Sequence, residues 1–184
     1  LRLPCLCGCG WRQGLDLVIE SVEDMVKENV QIVIQGVGEP MYAARLQGLA
    51  ARHPERFAVR LEFNEQLAHQ IYASSNFFLM PSIFEPCGLS QIIGMRYGAL
   101  PIAYRTGGLV DTIVAYEDAP GNATGFLFGK HQRADFLKVF GDALRAFGQD
   151  EVFGHLVQNA MNVDFSLENS AGHYREIYQC LLLG

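Results

Sequence analysis

The fold is decided by residues 77–104, FFLMPSIFEPCGLSQIIGMRYGALPIAY. The stretch opens with the wholly apolar run Phe77–Met80, which predicts a strand covered on both faces. A loop with two prolines follows, then a helix over 89–97, and the apolar run Leu100–Tyr104 predicts a second strand. A strand, a helix and another strand in this order are typical of a parallel sheet, so we expect an α/β domain.

The same alternation continues on both sides of this stretch. The other predicted elements are helix 15–26, strand Gln31–Gln35, helix Pro40–Arg52, strand 57–63, helix 67–73, strand 125–128, helix 136–147, helix 151–161 and helix Leu167–Leu183. Ser166 is the expected N-cap of the last helix. The pattern predicts a Rossmann-like, doubly wound parallel sheet with helices on both faces and extra helices at its end. Residues 1–184 are expected to form a single domain.

Composition excludes several classes of protein. The chain has 184 residues, of which 49% are hydrophobic and 18% charged, so it can bury a core and is not a disordered tail. The excess of 20 acidic over 14 basic residues argues against nucleic acid as a partner. We expect no membrane segment, because no apolar run approaches the roughly 20 residues that one requires. Neither the five cysteines nor the five histidines have the spacing of a metal site, so no metal is expected.

Three loops that follow predicted strands carry residues suited to ligand binding, since such loops meet at the carboxyl edge of a parallel sheet. The loop over 36–40 contains Gly-Val-Gly, typical of a ligand loop or of a plain turn. Glu85, in the loop over 81–91, either touches a ligand or neutralises a helix N-terminus. Successive glycine amides in the loop over 105–111 either bind phosphate or sugar oxygens or form a tight turn.

Taken together, SIFEPCGLSQ (82–91), MRYG (95–98) and RTGGLVD (105–111) resemble the bacterial glycogen synthase and plant starch synthase family. The resemblance extends from Trp11 to Leu183 and concerns the C-terminal domain of a GT-B glycosyltransferase. Ile93 stands where sucrose-synthase-like relatives carry a second glutamate, which favours the glycogen and starch synthases. The resemblance implies transfer of glucose from ADP-glucose to the non-reducing end of an α-1,4-glucan, with retention and without metal or other cofactor.

The resemblance also implies partners and a location. ADP-glucose or ADP and an α-1,4-glucan are the expected ligands, and an N-terminal acceptor domain is expected outside this sequence. This chain by itself is therefore expected to be inactive. The bacterial cytoplasm is the expected location, with the plastid stroma as the alternative.

Site residues follow from the same resemblance. Glu85 matches the essential carboxylate beside the donor glucose, Phe63 an aromatic residue that stacks on adenine, and Ser90 a hydroxyl that contacts phosphate. The expected donor-binding residues are Phe63, Cys87, Gly88, Leu89, Ser90, Thr106, Gly107, Gly108 and Leu109.

The opening of the chain departs from the family pattern. The family holds the donor diphosphate with an arginine and a lysine, and Gly8 and Gln13 stand at these positions. Arg12, beside Gln13, is a candidate remnant of this phosphate clamp. Residues 1–10 are an atypical, cysteine-rich opening segment. Either this segment is not native sequence, or the protein is a non-catalytic homologue that binds nucleotide or glucan without the clamp.

Overall fold

The strands lie where the apolar runs predict them, with one addition at the start of the chain. The computed structural model describes residues 2–6 and 14–183. Within this part of the chain the strands are β1 (Arg2–Leu6), β2 (Gln31–Gln35), β3 (Phe57–Arg60), β4 (Phe77–Met80), β5 (Leu100–Tyr104) and β6 (Phe126–Phe128). The helices are α1 (Leu15–Met25), α2 (Pro40–Arg52), α3 (Glu65–Ala73), α4 (Ser90–Arg96), α5 (Gly108–Thr112), α6 (Arg133–Phe147), α7 (Asp150–Asn162) and α8 (Leu167–Leu183).

The strands are parallel and are hydrogen-bonded in two sets, β1-β2-β3 and β4-β5-β6. Because β1 also lies against β4, the strands cross the domain in the order β3-β2-β1-β4-β5-β6. The direction of progression reverses between β1 and β4, and open parallel sheets bind ligands at the carboxyl ends of their strands beside such a reversal. The predicted doubly wound sheet is confirmed.

Successive residues of β4 pack into different cores on the two faces of the sheet. Phe77 and Leu79 belong to the core that includes α1, α2 and α6. Phe78 and Met80 belong to a second core with residues of α3 and α5. Burial of each large apolar side chain stabilises the fold by about 1.5–3 kcal/mol. The all-apolar strand thus follows from the period-two geometry of a strand that is covered on both faces.

Strand β1 is the strand that the sequence pattern did not predict. Arg2–Leu6 pairs in parallel with Gln31–Gln35, and Pro4 lies opposite Val33. Proline cannot donate a hydrogen bond to a sheet and is uncommon inside central strands, which hides this strand from pattern analysis. Residues 2–6 of the atypical opening segment therefore contribute a strand between β2 and β4.

Strand β3 is shorter than predicted, and this places Phe63 in the loop between β3 and α3. The strand ends at Arg60 instead of residue 63, and α3 begins at Glu65. The side chain of Asn64 caps this helix, because its Oδ1 accepts a hydrogen bond from the amide of Leu67 at 2.9 Å.

The last helix begins where the sequence predicts it. Ser166 Oγ accepts a hydrogen bond from the amide of Asn169 at 3.2 Å, which confirms Ser166 as its N-cap. Among the residues described, no helix is both long enough and apolar enough to cross a membrane.

Candidate functional site

A cavity of about 620 Å³ opens at the carboxyl edge of the sheet. Its walls come from the ends of β2 and β4, from the loops after β2, β3 and β4, and from α3 and the start of α4. The lining includes Gln35, Phe63, Asn64, Glu85 and Ser90. The position agrees with the rule that ligands bind outside the carboxyl ends of parallel strands.

The loop after β4 is fastened to the loop after β5 by two hydrogen bonds. The amide of Gly108 donates to the carbonyl oxygen of Glu85 at 2.9 Å. The hydroxyl of Thr106 donates to the carbonyl oxygen of Ile83 at 3.2 Å. These bonds hold the backbone of Glu85, a residue that lines the cavity, against the loop after β5. This loop, residues 105–108, is called the glycine loop.

Gly107 is required where these two loops touch. Its φ angle is +44°, and a Cβ atom there would lie 2.1 Å from the carbonyl oxygen of Glu85. A side chain would therefore push the two loops apart as well as strain the backbone. The glycine pair in RTGG is explained by this close approach, in addition to any contact with a ligand.

The buried side chain of Gln91 holds the loop after β4 in place, a role that was not predicted from the sequence pattern. It is completely buried. Its Nε2 atom donates to the carbonyl oxygens of Cys87 at 2.9 Å and Gly88 at 3.0 Å, and to Thr112 Oγ1 at 3.2 Å. A buried amide that satisfies carbonyls from a loop fixes the shape of that loop. Its position in the first turn of α4, directly after the loop, was the available signal.

The loop after β6 also contacts the loop after β4. His131 Nε2 donates to the carbonyl oxygen of Pro81 at 2.8 Å, and its ring packs edge-on against Tyr104 with centroids 5.1 Å apart. Gly14, just before α1, has a φ angle of +68°, and a Cβ atom there would lie 1.9 Å from the same Pro81 oxygen. His131 thus has a packing role, and Pro81 joins the loops after β4 and β6 to the residue that precedes α1.

Arg105, at the start of the glycine loop, forms ion pairs with two carboxylates. Arg105 lies 2.9 Å from Asp118 and 3.2 Å from Glu117. The hydrogen bond to Asp118 is the main reason why the pKa of Arg105 is raised above its ordinary value. The guanidinium is therefore held by charge-assisted hydrogen bonds to two carboxylates.

The structure brings together only part of the predicted donor-binding set in the cavity itself. Glu85, Phe63 and Ser90 line it. The other members lie on the adjoining loops and are not among the residues that line the cavity: Cys87, Gly88, Leu89, Thr106, Gly107, Gly108 and Leu109. Of these, Gly108 and Leu109 are buried, whereas Cys87 and Leu89 are exposed. The predicted clamp remnants, Arg12 and Gln13, lie outside the described residues.

A metal centre is not formed in the part of the chain that the structure describes. Within residues 2–6 and 14–183, no three His, Cys, Asp or Glu side chains are grouped closely enough to hold a metal ion.

The strand order, the cavity and the paired loops define an α/β domain of the doubly wound class with a candidate ligand site at the carboxyl edge of its sheet. The chain belongs to the family described as glycosyl transferases group 1, whose family model matches residues 9–146. It is 41% identical over 170 residues to a glycogen synthase from Alkaliphilus metalliredigens, covering 92% of the chain and 36% of that relative. It is 42% identical over 171 residues to a glycogen synthase from Bacillus cereus strain B4264, covering 93% of the chain and 36% of that relative.

Solved structures agree with this membership. The catalytic domain of starch synthase IV from Arabidopsis thaliana, bound to ADP and acarbose, matches with a TM-score of 0.88 and 32% identity. The match covers 97% of the chain and 38% of that structure. A sucrose-phosphate synthase from Thermosynechococcus elongatus shares the fold with a TM-score of 0.71 at 21% identity, over 99% of the chain and 46% of that structure. The predicted likeness to glycogen and starch synthases is confirmed, and the chain spans about a third of the length of these curated relatives.

Proposed function

We propose that this chain is the donor-binding domain of an ADP-glucose-dependent α-glucan glucosyltransferase. The observation that carries the proposal is the hydrogen bond between Gly108 and Glu85. It joins the glycine loop to the loop after β4 that contains Glu85, which is called the carboxylate loop and lies beside the cavity. The identity to glycogen synthases and the ADP complex of the starch synthase support the choice of nucleotide and sugar. The chain covers only part of these relatives, so the acceptor domain is proposed to lie elsewhere in the protein.

The cavity and the loop beside it are each assigned a part of the donor. Phe63, 86% exposed at the rim, offers a ring face on which adenine can stack. The loop that contains Thr106, Gly107 and Gly108, which adjoins the cavity, is assigned to the pyrophosphate. The amides of Thr106 and Gly107 are the proposed donors, because the Gly108 amide already donates to the carbonyl oxygen of Glu85. The hydroxyl of Ser90, on the cavity wall, is assigned to the same phosphates.

Glu85 is proposed to act at the sugar. Its carboxylate would accept hydrogen bonds from glucose hydroxyls and stabilise the positive charge that develops on the sugar ring in an oxocarbenium-like transition state. Because its backbone is fastened to Gly108, the carboxylate would need little reorganisation during the reaction. The glucose is transferred to the non-reducing end of an α-1,4-glucan with retention of configuration, and no metal or other cofactor is proposed.

The proposed setting is the cytoplasm of a bacterium, with the plastid stroma as the alternative. Glycogen synthases from bacteria are among the relatives. A module that only binds nucleotide or glucan is the competing function, and the glycine and glutamine at the clamp positions are the observation in its favour. The complete Glu85 loop argues against it, because binding alone does not require that carboxylate.

Calorimetric titration of the purified chain with ADP, and with UDP as the control, tests the nucleotide assignment. Stacking of a base on an aromatic side chain contributes roughly 1–3 kcal/mol, so Phe63→Leu should weaken ADP binding about 5- to 150-fold. Phe165→Leu, at an exposed phenylalanine outside this cavity, is the matched control and should leave the affinity unchanged. Equal affinities for ADP and UDP would contradict the assignment.

A test of the catalytic role proposed for Glu85 requires a complete active site. We would join this chain to the remaining part of the Bacillus cereus glycogen synthase and measure glucose transfer to glycogen. Activity that is present with Glu85 and lost in Glu85→Gln identifies an enzyme. ADP binding without transfer in the joined protein identifies the binding module instead.

A further inference from the structure

A buried amide stands at the end of β2, where the strand meets the cavity. Ile32 and Ile34 of this strand are buried apolar residues, and Gln35 is buried beside them with 5% of its surface exposed. A glutamine is mostly found on protein surfaces, so its burial here calls for specific partners.

Gln35 links the loop after β2 to the turn after β3. Its Nε2 atom donates a hydrogen bond of 2.7 Å to the backbone carbonyl of Asn64, which lies 29 residues further along the chain. The side chain of Asn64 caps α3 through the amide of Leu67 at 2.9 Å. The carbonyl oxygen of Asn64 also accepts the amide of Ala68 at 3.0 Å. Asn64 is thus held to α3 through its side chain and its carbonyl, and to the end of β2 through Gln35.

Phe63 precedes this doubly held residue. Its side chain is 86% exposed, so the position of the ring is set mainly by the backbone and not by packing. A stacking surface that is already in place loses less conformational entropy when a ligand binds. The hydrogen bond from Gln35 acts on the peptide unit between Asn64 and Glu65, one residue beyond Phe63.

The other half of the Gln35 amide has no partner within residues 2–6 and 14–183. Its Oε1 atom is buried and accepts no hydrogen bond from the residues described. An unpaired buried acceptor lowers stability, and an apolar residue of the same shape would not carry this penalty. The contribution of a glutamine at this position, which faces a cavity, therefore comes from its Nε2 donor, whose partner is the carbonyl of Asn64.

We propose that Gln35 is a positioning residue for nucleotide binding: by holding the carbonyl of Asn64 it presents the Phe63 ring to the base of the donor. The inference rests on the proposed function, since it requires that Phe63 contacts the base. Gln35 acts on affinity through Phe63 and does not itself touch the ligand.

A double-mutant cycle tests this coupling. We would measure the dissociation constant of ADP for the wild type, Gln35→Met, Phe63→Ala and the double variant by calorimetry. Methionine keeps the length and nearly the volume of glutamine but has no N–H donor. Loss of one hydrogen bond should weaken ADP binding roughly 3- to 10-fold in the wild-type background. In the Phe63→Ala background the same substitution should change the affinity by less than about 2-fold, because the ring is already absent.

Inorganic pyrophosphate is the control ligand because it has no base. Its affinity should be equal for the wild type and Gln35→Met, whereas general damage to the domain would weaken both ligands. Should Gln35→Met fail to fold, Gln35→Leu, which resembles the neighbouring strand residues, replaces it in the same cycle.

The outcomes separate the inference from the proposed function. Additive losses in the cycle would mean that Gln35 touches the ligand directly or acts elsewhere, and they would overturn the positioning role. Unchanged ADP affinity in Gln35→Met would overturn it as well. A wild-type chain that binds pyrophosphate but not ADP would instead refute the proposed nucleotide, whatever Gln35 does.

Discussion

Replacement of Gly107 by alanine should unfasten the carboxylate loop from the glycine loop. The φ angle of +44° disfavours a residue with a side chain by about 1–3 kcal/mol. The new Cβ atom would lie 2.1 Å from the carbonyl oxygen of Glu85, so the loops must separate. Separation breaks the hydrogen bond from Gly108 to Glu85, which contributes about 0.5–1.5 kcal/mol. The sum is a destabilisation of about 2–4 kcal/mol.

Urea denaturation measures this loss, and a thermal melt should show a midpoint lowered by roughly 4–16 °C for a domain of this size. Binding of ADP should weaken as well, because the loop amides lose their fixed positions. Gly121→Ala is the matched control, since a Cβ atom at Gly121 meets nothing within 4 Å. If Gly107→Ala were as stable as Gly121→Ala and bound ADP normally, the close approach of the two loops would not be what requires glycine here.

Three further predictions concern stability. The hydrogen bond to Asp16, together with burial, raises the pKa of Tyr42 to about 12. The wild type should therefore exceed Tyr42→Phe in stability by about 1 kcal/mol up to pH 10 and lose this advantage between pH 10 and 12, as measured by urea titration across pH. Gln91→Leu should cost roughly 2–3 kcal/mol in the same assay, because loop carbonyls lose their buried donor, whereas Gln149→Leu on the surface should cost little. Gly48→Ala in α2, where a Cβ atom meets nothing within 4 Å, should raise the thermal midpoint through a gain of about 0.5–1 kcal/mol.

Much of the fold could be predicted because the relevant signals are local. An all-apolar strand such as Phe77–Met80 must be covered on both faces, and this requires helices on both sides of the sheet. The N-cap Ser166 was likewise visible, because a helix cap involves residues only three positions apart. Strand β1 could not be predicted in this way, because Pro4 argues locally against a central strand. Pairing with β2 and packing beside β4 nevertheless stabilise a strand there.

For the candidate site, the sequence could predict which residues take part but not how they are arranged in space. The sequence determined that Glu85 and the glycine pair follow strands and placed Phe63 at the end of one, and parallel strands bring such positions to one edge. Tertiary structure decided which of them line the cavity and what holds them: Gln35 reaches across 29 residues to Asn64, and His131 across 50 residues to Pro81. Those contacts depend on the strand order of the sheet, which joins segments distant in the chain. Local sequence signals report propensity and periodicity, whereas the partners of a buried amide or imidazole are fixed only when the strands have found their neighbours.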